Sequence, residues 1–307
     1  MSAEVVVVGA GPAGLSAALN LARARREVVV LDSNRPRNAA TFHSHGFLSR
    51  DGISPLELRA LGREELAAYP AARFEKTMVS GISRSSRGFS VVTRDYGFET
   101  AAVVIATGLI ETLPDLPSIR SWYGTSIHSC FECDAFEYSD RPIALIGETD
   151  DLAERALLLS QWSRDLIVFT NAVGVLSDAD EAILAERGIR VDRRRIADVA
   201  GDRSGLTGVT LADGETVARV GAFVRPRYST ALDYASELGL ATDGDGLIVV
   251  DADGRSSVAG VYAAGDSTPP GPQQLIVAAG AGARVAAAVN RDLLEKPMPV
   301  VPGPRRR

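Results

Sequence analysis

The feature that most constrains this chain is a glycine loop set between a short apolar run and a helix. Val5–Val8 is a four-residue β-branched run and reads as a buried strand. Gly9-Ala10-Gly11-Pro12-Ala13-Gly14 follows directly. Residues 15–24 are rich in alanine and leucine, with no breaker, and read as a helix. Val28–Leu31 is a second strand, ending at Asp32, 18 positions after Gly14. The glycine spacing alone is a weak signal. In this context it becomes a strong one, for a βαβ unit that holds a dinucleotide. Gly9 permits the tight turn, Gly11 lets a pyrophosphate approach the backbone, and Gly14 lets the helix pack closely on the strand. The helix N-terminus offers free N–H groups and a partial positive charge to the phosphates. Asp32 is placed to accept hydrogen bonds from ribose hydroxyls.

The theme recurs. Ile143–Ile146, Gly147, a helix over about 152–162 and Leu166–Phe169 repeat strand, turn, helix and strand. Between the two units, residues 33–75 form a long connection with a helix over 55–69. Phe89–Thr93 and Phe98–Ala102 alternate like a small antiparallel sheet, with Asp95-Tyr96-Gly97 as the turn. A separate buried strand starts at Val103 and ends in Ala106-Thr107-Gly108. Leu113 to Pro117 reads as a crossover linker. A strand at Leu247–Val250, the segment Gly260–Asp266 and a small-residue helix from Gln274 to Asn290 close the chain.

Two cysteines, Cys130 and Cys133, stand in Cys-x-x-Cys spacing. The net charge of −6 gives no general attraction to nucleic acid or to an anionic membrane. No apolar run reaches the roughly 18 residues of a membrane span. The chain enters Val5–Val8 without a basic region or cleavage site, so a cytoplasmic protein is expected. Only Arg305–Arg307 is strongly basic, and three terminal arginines read as a solvated end. Cytosolic disulfides are seldom structural, so the cysteine pair points to redox chemistry or metal binding. Spacing alone leaves open a zinc site with two histidines, or a pair of inert buried cysteines. Trp122 and Trp162 read as packing residues.

Ala106-Thr107-Gly108 and Ala264-Gly265-Asp266, with Gln274 at the next helix start, resemble the flavoprotein disulfide reductase pattern. With the order of motifs and Cys130-x-x-Cys133-Asp134, the chain resembles thioredoxin reductase over about residues 3–295. The pieces His45–Gly52, Ala222–Arg227 and Ala278–Gly282 are similar to a branch of this family. That branch includes the dithiol oxidases that close disulfides in holomycin, gliotoxin and romidepsin biosynthesis. Those enzymes often carry His-Gly after the second cysteine, whereas this chain has Asp134-Ala135, nearer to the reductases.

The resemblance implies an α/β fold of two Rossmann-like, three-layer dinucleotide-binding domains, the second inserted in the first. Residues 1–113 and 245–307 would form the FAD-binding domain, and 114–244 the NAD(P)-binding-like domain carrying the cysteines. It implies FAD held by Gly9, Ala10, Gly11, Pro12, Ala13, Gly14, Asp32, Gly46, Val79, Ala106, Thr107, Gly108, Gly265, Asp266, Gln274 and Leu275. Cys133 would face the flavin and Cys130 would exchange with substrate. Asp134 would be the acid–base partner of the thiol, with His45 and His128 as further candidates. It also implies a homodimer. The partner class is a small-molecule or peptide dithiol or disulfide, or a thioredoxin-like protein, with no nucleic acid and no membrane. No metal is expected.

The second loop, Gly147-Glu148-Thr149-Asp150-Asp151-Leu152, is damaged. Thr149 stands where a second glycine admits pyrophosphate, and Leu152 where a small residue allows close packing. Glu148 and Asp151 add negative charge beside the phosphate position. The following strand runs into Phe169-Thr170-Asn171, without the arginines that select a 2′-phosphate, and Arg193–Arg195 reads as a solvated edge. NADPH is therefore expected to bind weakly or not at all. Three functions stay in view. One is a dithiol oxidase passing electrons to flavin and then oxygen. Another is an NADPH-dependent thioredoxin-type reductase. The third is a non-catalytic redox sensor on the same fold.

Overall fold

A computed structural model describes residues 1–269 and 271–295; the arginine run at 305–307 lies outside the described residues. The chain divides into two compact units. One comprises residues 1–36, 56–110 and 229 onwards, the other 37–55 and 111–228.

The first unit begins with β1 (Ser2–Val8), α1 (Pro12–Arg23), β2 (Val28–Asp32), α2 (Pro55–Ala67) and β3 (Ala72–Lys76). It continues through β4 (Val79–Ser85), β5 (Gly88–Thr93) and β6 (Gly97–Ile105), and the chain leaves on β7 (Ile110–Thr112). The second unit opens with α3 (Ile119–Trp122), β8 (Ile127–His128), α4 (Phe131–Asp134), β9 (Ile143–Ile146), α5 (Leu152–Leu159) and β10 (Leu166–Phe169). Then come α6 (Asp178–Glu186), β11 (Arg190–Asp192), β12 (Ile196–Asp202), β13 (Gly205–Leu211), β14 (Thr216–Ala218) and β15 (Gly221–Val224). The chain returns on β16 (Arg227–Ser229), which pairs with β7, and ends in β17 (Val261–Ala263) and α7 (Leu275–Glu295).

The first sheet runs β3-β2-β1-β6-β5-β4, with β17 also on β6. Its central strands show why a β-branched run was required. Side chains alternate between faces. Val5, Val7, Val28 and Val30 pack with Ala17 and Leu21 of α1 and Val285 and Val289 of α7. Val6, Val8, Val29 and Leu31 pack with Ile82, Phe89 and Ile248 on the other face. Each such side chain contributes about 1.5–3 kcal/mol when fully buried. The small residues at 278–282 bring α7 against α1: a Cβ on Gly282 would lie 2.0 Å from the Ala13 carbonyl oxygen.

The second sheet is parallel, in the order β11-β10-β9-β15-β8. Ile143, Leu145 and Val168 pack with Ala156 and Leu159 of α5 and Leu184 of α6. Ala144, Ile146, Ile167 and Phe169 pack with Val199, Leu206 and Val209 of the antiparallel sheet β12-β13-β14. Each unit is thus three-layered, with a parallel sheet at its centre. Trp122 and Trp162 are packing residues at the edges of these clusters.

Several expectations are corrected. Phe98–Ala102 and the strand from Val103 are one strand, β6. β1 pairs along it from Ser2–Glu99 to Val8–Ile105, while its other edge is shared by β5 and β17. Leu247–Val250 is not a strand. Isolated bridges Thr242–Ile248 and Val250–Ser256 hold it between turns, in which Asp243 and Asp251 carboxylates accept backbone N–H bonds. α5 stops at Leu159, where the Trp162 N–H turns back to the Leu159 carbonyl. The unit boundaries also differ from those expected. Residues 37–55 sort with the second unit, where Arg37 pairs with Glu111 and His45 meets Glu137. Residues 229–244 sort with the first unit, because Ala235 and Leu238 lie in its core. Among the described residues no helix is long and apolar enough to cross a membrane.

Candidate active site

In the first glycine loop, the chain reverses at Gly9 with φ +104°, and a Cβ there would sit 2.4 Å from the Ala106 carbonyl oxygen. A Cβ on Gly14 would sit 1.9 Å from the Gly9 oxygen. Both positions are closed to any side chain by backbone. Gly11 is the opposite case: nothing lies within 4 Å of where its Cβ would be. It is also the N-cap of α1, and no side chain caps the helix there. Open space over uncapped N–H groups is what a pyrophosphate requires.

Asp32 ends β2 almost fully buried. Its Oδ1 accepts from the Ala10 N–H at 2.9 Å, and its Oδ2 accepts from the Asn34 N–H at 2.9 Å and from Arg59 Nη2 at 2.7 Å. Arg59 also donates from Nε to the Ala10 carbonyl at 3.0 Å. This arginine, 4% exposed, was not anticipated. Burial pushes its guanidinium pKa down, and the Asp32 charge opposes that shift. No residue pattern announced it: α2 turns Arg59 inward while Leu56 stays half exposed.

The remaining expected cofactor residues of this unit lie at strand ends or at the start of α7. Ala106, after β6, takes its N–H to the Val8 carbonyl at 2.8 Å. The Thr107 hydroxyl meets the Tyr234 hydroxyl at 3.2 Å, and burial pushes that phenol up to about 12. Gly108 and Gly265 both have positive φ. Gly265 and Asp266, with Gln273 and Ala278, line a cavity of about 310 Å³. Gln274 immediately precedes α7, and Leu275 is its first residue. Val79 starts β4 with its side chain in the core.

In the second unit Cys130 and Cys133 are joined as a disulfide, with Cα atoms 5.3 Å apart. Cys130 precedes the single turn α4, and both cysteines are half-buried. Glu132 reaches to 3.9 Å from the Cys130 sulfur. His128 and Asp134 come together: Nδ1 lies 3.2 Å from Oδ1, and the imidazole Nε2 lies 3.2 Å from the Tyr138 hydroxyl. His45 falls elsewhere in the unit, 3.5 Å from both Asp51 and Glu137. The Gly46 N–H and then His45 hold the Asp51 carboxyl below its ordinary value. His43 meets the Gly52 carbonyl at 3.1 Å.

Two further groups support the cysteine segment and were not foreseen. Arg155 of α5 lies 4.3 Å over the Phe131 ring and donates to the Ser129 carbonyl at 3.3 Å. The Tyr123 hydroxyl donates to Glu111 at 2.8 Å and lies 2.9 Å from Ser129 Oγ. Burial and the Glu111 charge push the Tyr123 phenol up.

The second glycine loop is filled by its own side chains. A Cβ on Gly147 would lie 2.6 Å from Cδ2 of Leu152, which is itself fully buried. Glu148 accepts from Asn171 Nδ2 at 2.9 Å and pairs with Arg227 at 3.1 Å. Asp151, at the N-cap of α5, pairs with Arg225 at 2.9 Å and accepts from the Thr149 hydroxyl. The space left among Leu113, Glu148, Thr149, Arg225 and Arg227 is about 10 Å³, room for one water at most. The residues of the first loop fit a dinucleotide and those of the second do not. The Arg193–Arg195 run gives no phosphate clamp from Arg193 or Arg194, since these pair with Glu181, and with Asp192, Asp213 and Glu215.

Comparison with known proteins bears on the fold and the family. Residues 3–282 match the pyridine nucleotide-disulphide oxidoreductase family. The structure is similar to that of HlmI, at 38% identity and TM-score 0.91, covering 96% of this chain and 93% of that one. It is also similar to a putative thioredoxin reductase, TrxB, from Bacillus anthracis, at 36% identity and TM-score 0.90, covering 95% and 99%. The thioredoxin reductase sirT of Leptosphaeria maculans is 29% identical over 309 residues, 95% of this chain and 94% of that protein. The chain is a thioredoxin-reductase-like disulfide oxidoreductase and belongs to the pyridine nucleotide-disulphide oxidoreductase family.

Proposed function

We propose that this protein is an FAD-dependent dithiol oxidase. It converts a small-molecule or peptide dithiol and O2 into the disulfide and hydrogen peroxide. Bound FAD supplies the two-electron couple between dithiol and oxygen. The observation that carries the reading is the second glycine loop, in which Leu152 fills the turn and Glu148 and Asp151 are engaged by Arg227 and Arg225. A loop filled by its own side chains and ion pairs leaves no space for the phosphates of a nicotinamide dinucleotide, so in this reading the enzyme takes its electrons from thiols.

In this reading Gly11, the α1 N-terminus and Asp32 hold the pyrophosphate and ribose of FAD, and Gly265, Asp266, Gln274 and Leu275 hold its flavin half. Cys130 exchanges with the substrate, Cys133 serves the flavin, and Asp134 manages the thiol proton. Arg155 and the Tyr123–Glu111 pair hold the segment in place. The protein works as a homodimer in the cytoplasm.

The test is spectroscopic. Under anaerobic conditions, millimolar NADPH should leave the flavin oxidised, while dithiothreitol should bleach it. Readmitting oxygen should restore the colour and yield peroxide. Asp134, which follows Cys133 as in the reductases, favours a second reading, an NADPH-dependent thioredoxin-type reductase. Flavin bleaching by NADPH within seconds would establish that reading and remove the first.

A further inference from the structure

The polar groups around Asp134, the residue that follows Cys133, form a short chain whose protons can be counted. The Tyr138 hydroxyl donates to the Thr125 carbonyl, 3.0 Å away. A carbonyl can only accept, so the single phenolic hydrogen is committed there. Burial, and then the Asp134 charge, hold the Tyr138 phenol above its ordinary value, so it keeps that hydrogen. Its oxygen, which the Ser126 side chain also reaches, then accepts from His128 Nε2 at 3.2 Å in the tautomer that protonates Nε2. The other ring nitrogen, Nδ1, faces Asp134 Oδ1 at 3.2 Å. A bare nitrogen lone pair against a bare carboxylate would be repulsive in a site where His128 is only 8% exposed. One more proton belongs between them, on His128 or on Asp134.

We propose that His128 is a positioning residue for Asp134, and that the two hold one dissociable proton beside Cys133 in the oxidised enzyme. Tyr138 fixes the tautomer through Thr125. A substrate thiolate attacks Cys130 Sγ, the S–S bond breaks, and the electron pair leaves on Cys133 Sγ. That sulfur takes the proton held by the pair. The second substrate thiol then gives its proton to the emptied pair as its sulfur attacks the mixed disulfide and expels Cys130 as thiolate. The substrate loses two electrons and two protons. One proton ends on Cys133 and one in solvent, and the pair is restored.

The other charged groups around the imidazole are few. Glu137 lies on the following turn, and Arg141 sits 5.8 Å over the Tyr138 ring. Phe223 closes another side of the imidazole, with ring centroids 5.9 Å apart. His45, the other histidine in view, meets Asp51 and Glu137 in place of Asp134.

The inference rests on dithiol exchange at this cysteine pair, and its test is indifferent to the final electron acceptor. The chain has three histidines, so nitrogen-labelled wild-type protein gives a resolvable spectrum. His128 should show a protonated Nε2 from pH 6 to pH 8. A bare Nε2 with Nδ1 protonated would overturn the proposal, whether or not any variant folds. In anaerobic mixing with dithiothreitol, the appearance of enzyme thiols should show a pH-dependent step supplied by the His128–Asp134 pair. His128→Gln should lose that step and slow by about tenfold, less than the ~10²-fold of losing a general acid outright. Asp134→Asn with His128→Gln should be no slower than Asp134→Asn alone. An unchanged profile in His128→Gln, or additive losses, would overturn it. A wild-type enzyme that opens its disulfide yet makes no peroxide would sink the oxidase reading and leave this one standing.

Discussion

The two glycine loops of this chain occupy equivalent places in two three-layered units, and they have opposite interiors. At Gly9 the turn is closed by backbone and Gly11 beyond it faces open space. At Gly147 the turn is closed by the Leu152 side chain, and the positions beyond it are ion-paired. The difference teaches where binding capacity lies. A βαβ unit keeps its fold when its loop is filled, because the alternating core residues of β9 and β10 hold it together. It keeps a ligand site only if the loop stays empty over uncapped helix N–H groups.

Five substitutions would break or sharpen this contrast. The largest effect should come from Gly9→Ala, which combines positive φ with a backbone clash that cannot relax. We expect a stability loss of about 4–5 kcal/mol and loss of FAD, read by thermal melting and flavin fluorescence. Gly147→Ala, whose clash is with a flexible side chain, should cost about 1–3 kcal/mol. Equal losses would erase the distinction.

Next is Arg59→Met. Breaking a buried ion pair leaves Asp32 without its cation, at a cost of about 3–5 kcal/mol. FAD affinity should fall with it, while the Cys130–Cys133 disulfide in the other unit should still open with dithiothreitol. Leu152→Ala should cost about 2–4 kcal/mol as a core cavity. It should not bring an NADPH response, because Glu148 and Asp151 keep their charges; flavin bleaching by NADPH in this variant would show that sterics alone closed the loop. The smallest change should be Glu148→Gln. Its partner Arg227 is 75% exposed, so chemical denaturation should register less than about 1 kcal/mol.

Much of this was legible in the residues. The runs at Val5–Val8, Val28–Leu31, Ile143–Ile146 and Leu166–Phe169 are strands because β-branched and leucine side chains must be buried on both faces of a parallel sheet. The damage to the second loop was legible from three residue types at known spacing. β3, with Ala72-Arg73-Phe74-Glu75-Lys76, was not legible, because an edge strand needs no apolar run. Nor was the sheet β12–β14, in which Gly201, Asp202, Gly205 and Gly208 interrupt any run of apolar residues. The expected strand at Leu247–Val250 failed for a related reason: Asp243 and Asp251 draw the local N–H groups into turns, leaving no ladder.

What the sequence by itself determined is whatever rests on contacts a few residues apart: the helices, the core strands, the open turn at Gly9–Gly14 and the cysteine pair. Leu152 closing on Gly147 belongs with these, five positions along the same loop. The tertiary structure alone decided which distant groups satisfy the charges in each loop. Arg59 reaches Asp32 across 27 positions, and Arg227 reaches Glu148 across 79. It also decided that His128, not His45, stands against Asp134. Buried polar groups must find partners, but residue spacing records only that such a need exists. Which side chain meets it depends on how layers far apart in the chain are stacked.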